Sequence, residues 1–169
     1  MPLETIAVCA GGGPTNALWL TKPLTRAHDG GDHTGVALRY FTPDEANEAL
    51  DEVRPLTEEL VENRRALVEL QEQQAVLTAR ITGNGGDLEP RELQEVQERL
   101  EDAVAGIARS VARIHEAGGL VKDLDEGLVD FPARREDEDV LLCWRLGEPE
   151  VGFWHGLEEG FSGRRPLPL

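Results

Sequence analysis

The sequence predicts an α+β domain: a long antiparallel helical hairpin with a kinked first helix, packed at its base on a small antiparallel β-meander. Three observations predict it. Apolar residues recur in alternating steps of three and four through residues 46–81 and again through 93–117. The segment Thr82-Gly83-Asn84-Gly85-Gly86-Asp87 separates the two ladders as a loop. After Gly118-Gly119 the pattern changes to short apolar runs divided by turn residues.

Thr42-Pro43-Asp44-Glu45 starts the first helix. Thr42 can cap, Pro43 suits the first helical position, and Glu45 completes a capping box. The ladder that follows is Ala46, Ala49, Val53, Leu56, Leu60, Asn63, Leu67, Leu70, Gln74, Leu77 and Ile81, a seam with heptad spacing. Pro55 has no N–H to donate and is expected to kink or break the helix near Asp51. The second ladder follows Pro90, from Leu93 through Val96, Leu100, Ala103, Ile107, Ser110 and Ile114 to Ala117. The expected helices are 43–82 and 90–117. The segments from Pro55 to Thr82 and from Pro90 to Ala117 match in length, so they pair as a hairpin. Val61, Val68, Val76, Val104 and Val111 flank the seam and offer a second apolar face. A homodimer, or another protein docked on the hairpin, is therefore the expected partner.

The β-meander spans about 120–156. Strands at 120–124 and 128–131 form a hairpin in which Gly127 supplies a positive φ, and Pro132 closes the second strand. Residues 134–139 read as a charged turn, 140–146 as the strongest strand, 147–150 as a turn and 151–155 as the returning strand. A tail, 157–169, follows.

Composition excludes several functions. The chain has 169 residues, 40% hydrophobic and 30% charged, enough for one domain with a core. Its net charge of -16 repels phosphate backbones and anionic lipids, so neither nucleic acid nor membrane is expected as a partner. Two cysteines, Cys9 and Cys143, make no disulfide framework, and reduced thiols in a cytoplasm are expected. No apolar run reaches the roughly 18 residues a membrane helix needs, and Glu4 stands where a signal peptide carries positive charge. Residues 1–39 read as a disordered extension, and 40–169 as one domain. In the extension, Ala10-Gly11-Gly12-Gly13 suggests a phosphate-binding turn. Pro14 removes a donor, however, and Asn16 occupies the place of the third glycine of a dinucleotide fingerprint. No cofactor is expected from motifs.

Metal motifs also fail on spacing. His115 has Ala112 rather than Glu three residues before it, so no di-metal helical bundle is expected. A calcium loop starting at Asp123 would put Gly127 at position five and Arg134 at position twelve, where calcium loops carry a ligand and Glu.

Chemistry concentrates in LLCWRLGEPEVGFWHG, residues 141–156. Catalytic candidates are Cys143 as thiolate, His155 as base, and Glu148 and Asp130 as acids. Metal candidates are His155, Glu148 and Asp130, and anion-binding candidates are Arg145 and Arg164. Asp130 sits inside an apolar strand, with its parity opposite to Val129 and Phe131. A four-residue loop at 147–150 pairs Leu142 with His155 and Trp144 with Phe153, which sets His155 across the sheet from Cys143. One more loop residue pairs Cys143 with His155 directly. The four-residue loop is the expectation, with Trp144 and Phe153 packed together.

Tyr40-Phe41-Thr42-Pro43-Asp44-Glu45-Ala46-Asn47, Val121-Lys122-Asp123-Leu124-Asp125, Gly127-Leu128-Val129-Asp130-Phe131-Pro132, and Leu142-Cys143-Trp144-Arg145-Leu146-Gly147-Glu148 through Trp154-His155 form a distinctive string. Over residues 40–166 it resembles a bacterial family known as domain of unknown function 2203. The resemblance implies a small cytosolic bacterial protein; it brings no activity, cofactor or catalytic residue. The leading expectation is an oligomerisation or protein-interaction module. The alternative is a small metal-binding protein or enzyme that uses the Cys/His/acidic cluster of the β region.

Overall fold

A computed structural model describes residues 39–84 and 90–169. The disordered extension expected before residue 39, and the 85–87 part of the interhelical loop, lie outside the described residues. Two helices come first, α1 (Pro43–Asn84) and α2 (Pro90–Glu116). An antiparallel sheet follows, its strands neighbouring in chain order: β1 (Leu120–Asp123), β2 (Leu128–Arg135), β3 (Glu138–Arg145), β4 (Phe153–Gly156) and β5 (Arg165–Pro166). The architecture is the expected α+β helical hairpin with a β-meander.

The start of α1 is reciprocal. The Glu45 N–H donates to Thr42 Oγ1 at 3.2 Å, and the Thr42 N–H donates to Glu45 Oε2 at 2.8 Å, so two otherwise free donors are satisfied. Pro55 lies within α1 without ending it. Asp51 and Pro55 are both exposed, so the carbonyl that loses its donor faces solvent rather than the core. At its other end α1 runs on through Thr82 and Gly83 to Asn84, into the segment expected to be loop.

The core divides along the hairpin. Near the sheet, α1 buries a wide stripe that includes Ala46, Leu50, Val53, Leu56, Leu60 and Val61. Much of it packs with Ile107 and Ile114 of α2 and with Val129, Phe131, Ala133, Val140, Leu142 and Trp144 of the sheet. Farther out, Leu70 and Leu77 meet Val96 and Leu100 in a separate, smaller cluster. The narrow seam read from the sequence describes that distal part; the wide stripe exists because a third layer, the sheet, covers α1 at its base.

Polar ties hold α1 to the two hairpin turns. Arg54 donates to the carbonyls of Glu148 (3.0 Å) and Pro149 (2.8 Å), and its guanidinium lies 5.0 Å over the Trp144 ring. One heptad earlier, Asn47 Oδ1 accepts the Val151 N–H at 2.8 Å. Toward the other turn, Arg64 pairs with Asp125 at 2.8 Å. Gly127 closes that turn with φ 62, and a Cβ there would stand 2.9 Å from both Thr57 and Leu146. Glycine is thus required for its conformation and for the space.

Two strand expectations need correction. β2 does not stop before Pro132 but runs to Arg135, and the charged turn shrinks to Glu136-Asp137 between β2 and β3. A residue's N–H and C=O point to the same side of a strand, and the Pro132 carbonyl accepts the Phe41 N–H at 2.8 Å. The N–H that proline lacks would therefore point away from β3. β1 reaches only to Leu120, opposite Asp130, so no ladder bond is lost. The second correction is β5, a two-residue strand in the segment expected to be tail. No helix among the described residues is long and apolar enough to cross a membrane.

Candidate functional site

Helices cover one face of the sheet, so the residues of opposite parity share the other face. On β2 and β3, Asp130 stands directly opposite Cys143. On β3 and β4, Leu141 stands opposite His155 and Cys143 opposite Phe153. Asp130, Cys143 and His155 therefore lie on one face, with His155 diagonal to Cys143. This corrects the expected register. Leu142 faces Trp154, not His155, and His155 lies on the side of Cys143 rather than across from it. Trp144 and Phe153 consequently point to opposite faces and do not pack together.

The physical reason lies in the turn. β4 begins only at Phe153; before it, the Val151 N–H is taken by Asn47 and the Gly152 carbonyl by the Leu167 N–H. Helix α1 and the C-terminal segment set the register, and loop length alone does not.

The three side chains are 1% (Asp130), 0% (Cys143) and 2% (His155) exposed. One ligand-type atom from each lies within 4.8 Å of the other two. His155 Nδ1 is 2.8 Å from the Gly156 carbonyl. A carbonyl only accepts, so Nδ1 carries the proton, and in the neutral ring Nε2 presents a lone pair. Nε2 lies 3.3 Å from Asp130 Oδ2, and the carboxylate favours a proton on it. Both Asp130 Oδ1 and His155 Nε2 are buried without a hydrogen bond. Among the described residues the nearest cation to Asp130 is Lys122, whose Nζ is 3.9 Å from Oδ2. Leu120 stands opposite Asp130, so Lys122, two residues on in β1, shares its face.

The electrostatics follow from that crowding. Burial pushes the Cys143 thiol well above its ordinary range, and the Asp130 carboxylate adds to the push while Arg164 offsets part of it. A thiol so held is protonated and a poor nucleophile. Burial pulls His155 down, but Asp130 and the Gly156 carbonyl outweigh it and leave the imidazole raised. Nothing in this geometry activates Cys143, because its polar neighbour is the carboxylate rather than the ring.

The other expected site residues have local partners. Glu148 accepts from Arg164 Nη2 at 2.7 Å and from the Arg145 N–H at 2.9 Å, which fastens the β3–β4 turn. Arg164 also donates to the Cys143 carbonyl at 3.3 Å and lies over the rings of Phe153 and Phe161. Arg145 pairs with Glu126 at 3.7 Å. Lys122 is the functional neighbour that sequence reading missed. Alternation puts Lys122 on the face of Leu120, but only the pairing of Leu120 with Asp130 shows that its ammonium meets the carboxylate.

Those three donors fit a metal of the zinc class. Zinc bonds of about 2.0 to 2.3 Å set tetrahedral ligands roughly 3.3 to 3.8 Å apart. His155 and Asp130 already stand at 3.3 Å, and the widest separation would close by about 1 Å. The Gly156 carbonyl holds the ring tautomer in the way outer partners of metal-bound histidines do.

A family model described as an uncharacterized conserved protein, DUF2203, matches residues 39–167. No curated protein and no solved structure matches the chain.

Glu148 yields a pH prediction. Burial raises its carboxyl, but the bonds from Arg164 and Arg145 outweigh that and leave the folded value below the usual 4.5. The stabilisation is therefore present above 4.5 and lost as pH falls through the folded value. Glu148→Gln is expected to cost about 1 to 2 kcal/mol at neutral pH, with the gap to the parent protein narrowing below 4.5. Urea unfolding of both proteins across that range measures it.

Proposed function

The chain thus belongs to the DUF2203 family, and for it we propose a metal-binding function: a zinc-class divalent ion held between Asp130, Cys143 and His155. One observation carries this reading. Buried Asp130, Cys143 and His155 each bring one ligand atom within 4.8 Å of the others, and Asp130 Oδ1 and His155 Nε2 both lack a hydrogen bond. Buried polar atoms are ordinarily paired, and each unpaired one costs about 1 to 3 kcal/mol. A cation would satisfy all three donors together. The donor set of sulfur, imidazole nitrogen and carboxylate oxygen suits zinc and is poorly suited to magnesium or calcium, which take oxygen ligands. Bound metal would also deprotonate the thiol that burial keeps protonated. The same surroundings weigh against a cysteine nucleophile, and this reading claims no catalytic role for Cys143.

A second reading, supported by a different observation, is self-association through the hairpin. Val68, Val76 and Val104 are 37%, 60% and 46% exposed, although Val61 is buried. Their side chains offer exposed apolar surface on helices whose solvent-facing residues are otherwise mostly polar or charged.

Each reading has its own measurement. Metal-free protein titrated with Zn2+ under reducing conditions is expected to bind one ion per chain. Cys143→Ser and His155→Ala should each weaken binding at least about 10-fold with the circular dichroism of the fold retained; unchanged affinity in both counts against the site. For the second reading, sedimentation at micromolar concentration is expected to give a dimer that Val76→Glu with Val104→Glu converts to monomer. A parent protein that sediments only as monomer rejects it.

A further inference from the structure

Resting on the metal reading above, we propose that the Asp130–Cys143–His155 centre is open, and takes as its fourth ligand a small exogenous anion seated beside the ammonium group of Lys122. The described residues bring together only three donors here, whereas zinc-class ions are held by four ligands. Glu148 is not a spare fourth, because its carboxylate is engaged by Arg164 at 2.7 Å and by the Arg145 N–H. A centre with three protein ligands keeps a position for solvent or substrate.

Charge selects what fills it. The thiolate and the carboxylate together neutralise a divalent ion, and His155 binds as a neutral ring. Lys122 then adds a positive charge 3.9 Å from Asp130 Oδ2. The Arg164–Glu148 pair is already balanced and contributes no net charge. A fourth ligand bearing one negative charge, such as hydroxide, a carboxylate or a pseudohalide, leaves the whole group neutral; a neutral ligand leaves a net positive charge close to a buried centre.

Access supports the same assignment. The three donors are at most 2% exposed, but the Lys122 side chain is 32% exposed. Its ammonium lies 3.9 Å from the carboxylate while part of the side chain meets solvent, so a cationic group joins the buried donors to the surface and favours an anionic ligand. Leu120 stands directly opposite Asp130, so Lys122, two residues on, shares that face and brings its ammonium to 3.9 Å from the carboxylate.

Azide is a suitable probe, because it is a small monodentate anion and its binding perturbs the visible spectrum of cobalt. The full chain loaded with Co2+ should show a saturable spectral change on azide addition. Lys122→Met should weaken azide binding about 10-fold, the scale of one nearby charge in a partly screened site, when compared in protein fully loaded with Co2+. Lys122→Arg should restore azide affinity to within a few-fold, which a merely structural role for the residue would not do. Cobalt binding with no azide response, or an equal azide affinity in Lys122→Met, overturns this proposal and leaves the metal reading standing. Failure of the parent protein to bind cobalt or zinc overturns both.

Discussion

Asp130 Oδ2 and His155 Nε2 face each other across 3.3 Å inside this sheet, and the character of the site depends on what lies between them, a proton or an ion. Neither Asp130 nor His155 can donate to the other while the aspartate is ionised and the histidine neutral, because the ring's one proton is committed to the Gly156 carbonyl. Burying such a pair is costly, with the Lys122 ammonium 3.9 Å from Asp130 Oδ2 as partial compensation. A proton on Nε2 relieves the contact with Asp130 Oδ2 but leaves Oδ1 unpaired. A divalent ion satisfies the carboxylate, the ring and the neighbouring sulfur at once. The two solutions exclude each other, since metal binding must displace the ring proton and the thiol proton.

The fold places this trio through constraints distant from it. Helix α1 and its partner occupy one face of the meander, so residues of one parity become core and residues of the other parity collect opposite. Which residues share that second face depends on the pairing of β3 with β4. That pairing follows from α1 gripping the intervening turn through Asn47 and Arg54, and from Leu167 bonding to Gly152. A change in that grip would shift β4 by a residue and carry His155 to the helix face. The polar ties between α1 and the β3–β4 turn are therefore positioning elements for the candidate centre, in addition to whatever stability they contribute.

Much of this was legible in the residues, and the failures have a common cause. The capping box at Thr42, the two apolar ladders, the glycine at 127 and the alternation from Val140 to Leu146 are local signals, and each produced the element it implies. Asp130 was conspicuous because an acid interrupts an apolar strand, and Cys143 and His155 were conspicuous by chemistry. The juxtaposition of His155 with Cys143 was not legible, because strand register there is imposed by helix α1, about 100 positions earlier in the chain. Pro132 misled for a similar reason: its missing donor is harmless only because β1 ends before reaching it. Lys122 was invisible as a neighbour because the residue its ammonium meets depends on the pairing of β1 with β2.

The central claim is that these three side chains ligate one ion. X-ray absorption at the zinc edge of the reconstituted protein tests it most directly. The account predicts a first shell with one sulfur at about 2.3 Å and the remaining ligands nitrogen or oxygen near 2.0 to 2.1 Å, including the outer-shell scattering of a single imidazole. A shell without sulfur, or one with several imidazoles, would contradict it.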